Sequence, residues 1–391
     1  MHIIFKTYQG DFFLQVQNRN QSLISLFIQN QIPFNSITLF AKPVGRDTLV
    51  KISNFNKSLS ELAIYYQEIY IQPDRNINYE ALINKPIVTE NIQNPVSEYL
   101  FNDDDKYIHR LMNVDDCRKY TEICVENFLS TIKINSTTTI VVGISGGGDS
   151  NTLIGSLLKN GRIKSNQIKA VMMLGIPDWD KGLERAKKIC SKYNIELETV
   201  GEAKVAELLK YNGKESWVDA YERIFKDDDL EIIGTLAIRL ALEFVAKKNN
   251  SDTIILGANL EDILAESFYR LRQGKLPLPF PIRKIGDFYF WYPLYKVPKK
   301  ILDGCFPLLS EENYTNRYPS FMLGRVIPYY LSQMTSNILP GSEFDLVQGF
   351  QKLSQLNQEE VFLYDDDLEM YLISEIDLES RYKWKEFLGR E

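Results

Sequence analysis

The chain has 391 residues, 44% of them hydrophobic and 25% charged, with a net charge of −7 and a pI near 5.3; that is the balance of a protein with a sizeable core, and at about 150 residues per domain it fits two or three domains. The acidic balance speaks against an extended nucleic-acid surface, although a local basic patch can sit on an acidic protein. Only His2 and His109 are present, which excludes chemistry built on several histidines and leaves a Ser-His-Asp triad resting on His109 alone.

No apolar run reaches the roughly 18 residues of a membrane span. The start, Met1-His2-Ile3-Ile4-Phe5-Lys6, lacks the parts of a signal peptide, so the cytoplasm is the expected location. Cys117, Cys124, Cys190 and Cys305 include no close metal-type pair and are too few for a disulfide scaffold. Neither an iron–sulfur cluster nor structural zinc is expected.

In chain order, Ile3 to Tyr8 and Phe12 to Gln17 are β-prone runs around the turn Gln9-Gly10-Asp11. A short helix follows over Ser22 to Gln29, then strands over Ser36 to Ala41 and Thr48 to Ile52, a helix over Ser58 to Gln67, and a strand over Glu68 to Ile71. Residues 1–100 are thus expected to be a separate β-rich recognition module of β-grasp-like type. Asp74 to Asn102, rich in Asn and Pro, reads as a linker, and Asp103-Asp104-Asp105 as a solvated turn. Asp115 to Ile132 is an amphipathic helix with an aspartate cap.

From residue 138 strands and helices alternate. Thr139 to Ile144 is a continuous β-branched run, as in a strand buried on both faces. Ile168 to Leu174, Glu196 to Val200 and Thr253 to Leu256 are further strands. Helices are expected from Ser150 to Lys159, Trp179 to Tyr193, Leu230 to Lys248 and Leu260 to Arg272. This order predicts an α/β fold, a parallel sheet with helices on both faces, in a domain spanning 105–300. Residues 301–391 are expected to be a mostly helical C-terminal region, with Asp365-Asp366-Asp367 capping or linking its elements.

The strongest chemical signal is Ser145-Gly146-Gly147-Gly148-Asp149-Ser150 between a strand and a helix. Glycines let the backbone approach an anion closely. Successive N–H groups form a nest, and a helix N-terminus adds its positive end. Ser145 and Ser150 can donate to phosphate. Asp149 suits an anion site if it binds Mg²⁺ or caps the helix. The loop has neither the Gly-Lys-Ser/Thr of a P-loop nor the third glycine of a dinucleotide turn.

This segment resembles the signature of the PP-loop, or N-type ATP pyrophosphatase, superfamily, which includes tRNA lysidine synthetase, tRNA 2-thiolation enzymes, NAD synthetase and asparagine synthetase. Gly257-Ala258-Asn259-Leu260-Glu261-Asp262-Ile263-Leu264-Ala265-Glu266-Ser267 resembles a second motif of the lysidine and thiolation branch. Helical spacing puts Asp262 and Glu266 on one face. Weaker echoes are Arg270 to Lys275, Tyr292-Pro293-Leu294, Lys299-Lys300-Ile301, Asn316-Arg317 and Leu323 to Pro328. The resemblance covers about residues 138 to 330.

It implies an adenine nucleotide alpha hydrolase-like fold and cleavage of ATP between its α- and β-phosphates. The ATP contacts it implies are Gly143, Ile144, Ser145, Gly146, Gly147, Gly148, Asp149, Ser150, Met173, Gly257 and Asn259. The catalytic residues are Asp149, Asp262 and Glu266, with Mg²⁺ on Asp149 and Asp262. The chain departs from the pattern at Gly148, where thiolation enzymes often carry lysine; Lys159 or Arg239 are candidate replacements. Leu230 to Leu236 lacks the Cys-x-x-Cys of cluster-dependent thiolation enzymes. Cys190 and Cys305 read as core residues before nucleophiles, and Phe288 to Tyr292 as packing before base stacking.

The expected activity is adenylation of a carbonyl or carboxylate oxygen, followed by displacement of AMP by a nitrogen or sulfur nucleophile. The acceptor is a small molecule or a carrier-bound acid. The alternatives are a tRNA base and, in a different class, a nucleotide-binding partner protein without turnover.

Overall fold

The computed structural model describes residues 1–391 except 8–9, 17, 31, 33–36, 74–85, 91, 104, 135–137, 226–229, 317–327, 330, 333–334, 336–339, 357–360, 368, 374–377 and 390–391. The echo over Leu323 to Ile327 and much of the Asn- and Pro-rich stretch lie outside these residues. The chain divides into two units, Met1–Val88 with Asp103–Tyr107, and Thr89–Asn102 with Ile108–Glu391.

In the first unit, β1 (His2–Thr7), β2 (Gly10–Phe13), β3 (Ile37–Pro43), β4 (Val50–Ile52) and β5 (Tyr66–Pro73) form one sheet of order β2-β1-β5-β3-β4. The central pair β1 and β5 is parallel and the remaining pairs are antiparallel. Helix α1 (Leu23–Gln29) starts where Ser22 Oγ accepts from Ser25 N–H, and α2 (Leu59–Tyr65) starts in a capping box of Ser58 and Glu61. Their buried Leu23, Leu26, Phe27, Leu59 and Leu62 pack with Ile3, Leu39, Ile69 and Ile71 of the sheet. Each such large side chain taken fully out of water stabilises the fold by about 1.5–3 kcal/mol.

The stretch expected to be a linker carries strands. β6 (Ile87–Glu90), β7 (Ser97–Asp103) and β8 (Lys106–Met112) form a sheet of order β6-β8-β7. Of the acidic run, Asp103 ends β7 and Asp105 immediately precedes β8. Tyr107 and Met112 are buried near the two ends of β8, in a short strand-prone run that the neighbouring Asn and Pro residues obscured.

Helix α3 (Val114–Ser130) opens with a capping box of Asn113 and Asp116, so its cap is Asn113, two residues ahead of Asp115. The main sheet follows: β9 (Ile140–Gly143), β10 (Ile168–Met173), β11 (Glu196–Val200), β12 (Thr253–Ile255), β13 (Ile282–Ile285) and β14 (Phe288–Trp291), in the order β11-β10-β9-β12-β14-β13. All pairs are parallel except the edge strand β13. Alternate residues enter opposite cores. Ile140, Val142, Ala170, Met172 and Ile255 face a layer with Leu153, Ala186 and Leu302. Val141, Val171, Met173 and Ile254 face one with Trp217, Leu242, Leu260 and Phe387. Burial on both faces explains the unbroken β-branched run of β9.

The helices of this unit are α4 (Gly148–Lys159), α5 (Pro177–Asp180), α6 (Leu183–Tyr193), α7 (Glu202–Leu208), α8 (Trp217–Ile224), α9 (Leu230–Lys248), α10 (Leu260–Arg272), α11 (Lys299–Cys305), α12 (Pro307–Asn316), α13 (Ser342–Ser354) and α14 (Leu378–Phe387). Between α13 and α14 an antiparallel hairpin of β15 (Phe362–Asp365) and β16 (Met370–Ile373) interrupts the helical C-terminal region. Asp365 and Asp367 lie at its turn, where Arg381 pairs with both. No helix among the described residues is long and apolar enough to cross a membrane.

Candidate functional site

From β9 the chain proceeds to β10 on one side, and β12 lies on the other. The sheet therefore reverses direction at β9, and the crevice at the carboxyl ends of β9 and β12 is where such sheets bind ligands. The glycine loop leaves β9 at this point, and Gly257 to Asn259 leave β12 beside it. Gly143 and Ile144 carry the chain out of β9. A Cβ on Gly143 would lie 3.0 Å from Leu256 and 3.3 Å from Leu242, and Ile144 is buried. Met173 ends β10 with its side chain in the core.

The loop is closed across its ends. Ser145 N–H donates to Ser150 Oγ at 3.0 Å, and the two hydroxyls are 3.1 Å apart. Gly146 has φ +75°, a conformation that side chains resist. A Cβ there would lie 2.2 Å from the carbonyl oxygen of Gly182, and a Cβ on Gly182 would lie 2.1 Å from that of Ser145. Loop and α6 are thus in backbone contact, with glycine on both sides. Arg185 of α6 adds a donor to the Gly146 carbonyl at 3.2 Å. Gly147 is the N-cap residue of α4, and Gly148 is its first residue. The first N–H groups of a helix have no partner within it, so this end presents donors and a positive dipole to an anion.

Asp149 accepts from Lys299 Nζ at 2.7 and 2.9 Å through its two oxygens. Asp303, one turn along α11, is 2.9 Å from the same ammonium. Burial pulls the Lys299 pKa down, but the two carboxylates outweigh it and hold the group above its ordinary value. This lysine, with Arg185, places positive charge beside the loop. Lys159 pairs with Glu122 at 3.4 Å, at the far end of α4. Arg239 donates to the Tyr371 carbonyl and lies 3.8 Å from Glu243. Neither takes the place of the missing loop lysine, because both are committed elsewhere.

Asn259 and Asp262 form the capping box of α10, with N–H to oxygen distances of 3.0 and 3.1 Å. The second oxygen of Asp262 accepts from the Tyr329 hydroxyl. Burial raises the Asp262 pKa, the Tyr329 hydrogen bond opposes this, and the charge of Asp149 raises it further. Asp149 and Asp262 therefore share one electrostatic site. Glu266 is held instead by Arg283, at 2.5 and 3.3 Å. Glu261 accepts from Lys299 N–H at 2.8 Å, tying the start of α11 to that of α10. Burial pushes its carboxyl up to about 7.

In the sequence Lys299 appears only within the weak echo Lys299-Lys300-Ile301. Its place after Pro298 at a helix start was the available signal. Gly182, Arg185, Asp303 and Tyr329 carried none, since their roles arise from contacts distant in sequence. Of the aromatic strand, Phe290, Trp291 and Tyr292 are buried in the sheet, as packing requires. Cys117 and Cys305 share a small core with Met112 and Ile301, and Cys190 lies in a main core.

A family model described as NAD synthase matches residues 121–223, from α3 through the glycine loop to α8. No curated protein matches the chain. Among solved structures, U34-tRNA thiolase NcsA from Methanococcus maripaludis, determined with its 4Fe-4S cluster, is similar with 20% identity and a TM-score of 0.51 over 69% of this chain and 88% of that one. NH3-dependent NAD synthetase from Campylobacter jejuni aligns with 18% identity and a TM-score of 0.34 over 63% and 95%. NMN synthetase from Francisella tularensis aligns with 15% identity and a TM-score of 0.34 over 70% and 93%. The glycine loop leaving the central strand of a parallel sheet, the family model matched over residues 121–223 and the likeness to NcsA together show that the chain has the adenine nucleotide alpha hydrolase-like fold of PP-loop proteins.

Proposed function

We propose that the protein uses ATP to adenylate a carbonyl or carboxylate oxygen of an acceptor, releases pyrophosphate, and lets a nitrogen or sulfur nucleophile displace AMP. The observation that carries this reading is the meeting of the glycine loop, Asp149 and Lys299 at the reversal point of the sheet. A donor nest, a cation and carboxylates are the set that a triphosphate and its counter-ion need.

The acceptor oxygen attacks the α-phosphorus, and the bond to the β-phosphate oxygen breaks with its electron pair leaving on pyrophosphate. The loop N–H groups and the N-terminus of α4 hold the departing anion, and Lys299 neutralises part of its charge. The incoming nucleophile then bonds to the activated carbon, sheds its proton and expels AMP. Asp149 and Asp262 suit Mg²⁺, a hard ion that takes one or two protein carboxylates and fills its shell with phosphate oxygens and water. When bound, Mg²⁺ would supply charge neutralisation on the phosphates.

The four thiols are weak candidates for carrying sulfur. Burial pushes Cys117 up to about 12 and Cys124 and Cys190 up to about 11, and raises Cys305 as well. A sulfur nucleophile would thus come from another molecule. The acceptor we favour is a small molecule or a carrier-bound acid, with the five-stranded N-terminal unit, whose strand order suits a β-grasp, as its recognition module. A tRNA acceptor is supported by the fold likeness to NcsA alone. Product analysis tests the chemistry: AMP and pyrophosphate are expected from ATP in the presence of the acceptor, and ADP with orthophosphate would refute it. Mass spectrometry of RNA and metabolites from cells with and without the gene identifies the acceptor.

A further inference from the structure

We propose that Ser310 is a phosphate-binding residue of the glycine loop, and that Gly148 is glycine because the Ser310 hydroxyl stands where a side chain would begin. The inference rests on the adenylation reading and adds to it a ligand from a distant helix.

Gly148 opens α4, a helix of 12 residues, at the end that faces the anion. A Cβ built there would lie 3.0 Å from Ser310 Oγ, and the next nearest atoms, of Phe306, are 3.8 Å away or more. Ser310 is 6% exposed, and its hydroxyl has no hydrogen-bond partner. The other hydroxyls of this corner are engaged: Ser150 Oγ accepts from Ser145 N–H, and Thr152 Oγ1 donates to the Gly148 carbonyl at 3.0 Å. A buried, unpaired hydroxyl calls for an explanation, and one beside a helix N-terminus can be answered by a phosphate oxygen, which accepts its proton. The segment 299–316 would then give the loop two ligands, the Lys299 ammonium and the Ser310 hydroxyl, in place of the lysine that related loops carry at position 148. A side chain at that position would strike Ser310 first.

The test is calorimetry of the full-length protein with Mg²⁺ and the α,β-methylene analogue of ATP, together with urea denaturation, for wild type, S310A, G148A and the double variant. Loss of one hydrogen bond to a charged phosphate should weaken binding by about tenfold or more in S310A. The denaturation midpoint should hold or rise, because no internal bond is lost. G148A should weaken binding in the Ser310 protein and add little to S310A. Unchanged affinity in S310A overturns the proposal, as does a loss of affinity accompanied by a lower midpoint, which marks Ser310 as a packing residue. A wild type that binds neither the analogue nor inorganic pyrophosphate overturns the adenylation reading itself, and this ligand with it.

Discussion

Gly146 and Gly147 of the loop and Gly182 at the start of α6 should differ sharply in what they tolerate. Gly146→Ala puts a side chain at φ +75°, at about 1–2 kcal/mol. It also drives a methyl to 2.2 Å from the Gly182 carbonyl oxygen and 3.0 Å from Ala186 N. Both obstacles are backbone at the start of α6, so neither can swing aside as a side chain would, and crowding of this kind adds about 1–3 kcal/mol. The total loss is about 2–5 kcal/mol. Gly182→Ala has an ordinary φ of −75° but meets the Ser145 carbonyl oxygen at 2.1 Å, and should lose only the crowding part. Gly147→Ala has φ −83° and nothing closer than Ser145 Oγ at 3.5 Å, so its stability should stay within about 0.5 kcal/mol of wild type. Urea denaturation followed by tryptophan fluorescence reads this directly, because all 4 tryptophans, Trp179, Trp217, Trp291 and Trp384, lie in the second unit. Equal midpoints for Gly146→Ala and Gly147→Ala would refute the argument that loop and α6 are locked by backbone contact.

Lys299→Met should lower kcat/KM for ATP-dependent pyrophosphate release by about 10²–10³-fold, the scale of losing a preorganised charge on a phosphate; an effect below threefold would remove Lys299 from the site. Asp149→Ala should abolish turnover with the far-UV circular dichroism unchanged, and near-normal activity would take Asp149 out of the mechanism. Folded Glu261, pushed up to about 7, binds a proton that the unfolded chain releases above about pH 4.5, so this group makes stability fall as pH rises from 4.5 to 7. Glu261→Gln should flatten that slope, by about 3 kcal/mol at most at pH 8, and denaturation midpoints at pH 5 and 8 that shift in parallel with wild type would contradict it. A fragment of residues 89–391 should still bind Mg–ATP by calorimetry while losing efficiency with the full acceptor; a folded fragment unable to bind would make the N-terminal unit part of the ATP site.

The sheet and the loop were legible because their signals are local. The β-branched run of β9, the glycines after it and the helix that follows occupy about 20 neighbouring residues, and burial on both faces leaves little choice of composition. The β7–β8 hairpin and the β15–β16 hairpin were missed where Asn, Pro or Asp at the turns outweighed short runs of β-branched and aromatic residues. Chemistry was legible to the same depth. Asp149 stands in the loop itself and is read directly, whereas Lys299 acquires its role only when α11 is packed beside α4. Glu266 shows the reverse case: its helical spacing from Asp262 is as expected, but Arg283, arriving on the antiparallel edge strand β13, engages its carboxylate. Gly182 illustrates why a lone glycine is opaque, since its reason is a carbonyl oxygen on another element.

The ion pair between Asp149 and Lys299 joins positions 150 residues apart, with β10 to β14 laid down between them. During synthesis the loop leaves the ribosome without its cation. At about 5–20 residues per second the missing partner follows roughly 10–30 s later. Until α11 docks, the loop is a nest of donors beside an uncompensated carboxylate, a poor place for a triphosphate. On the adenylation reading, a nascent chain stalled before residue 299 lacks this ion pair and is expected to bind ATP more weakly than the finished chain.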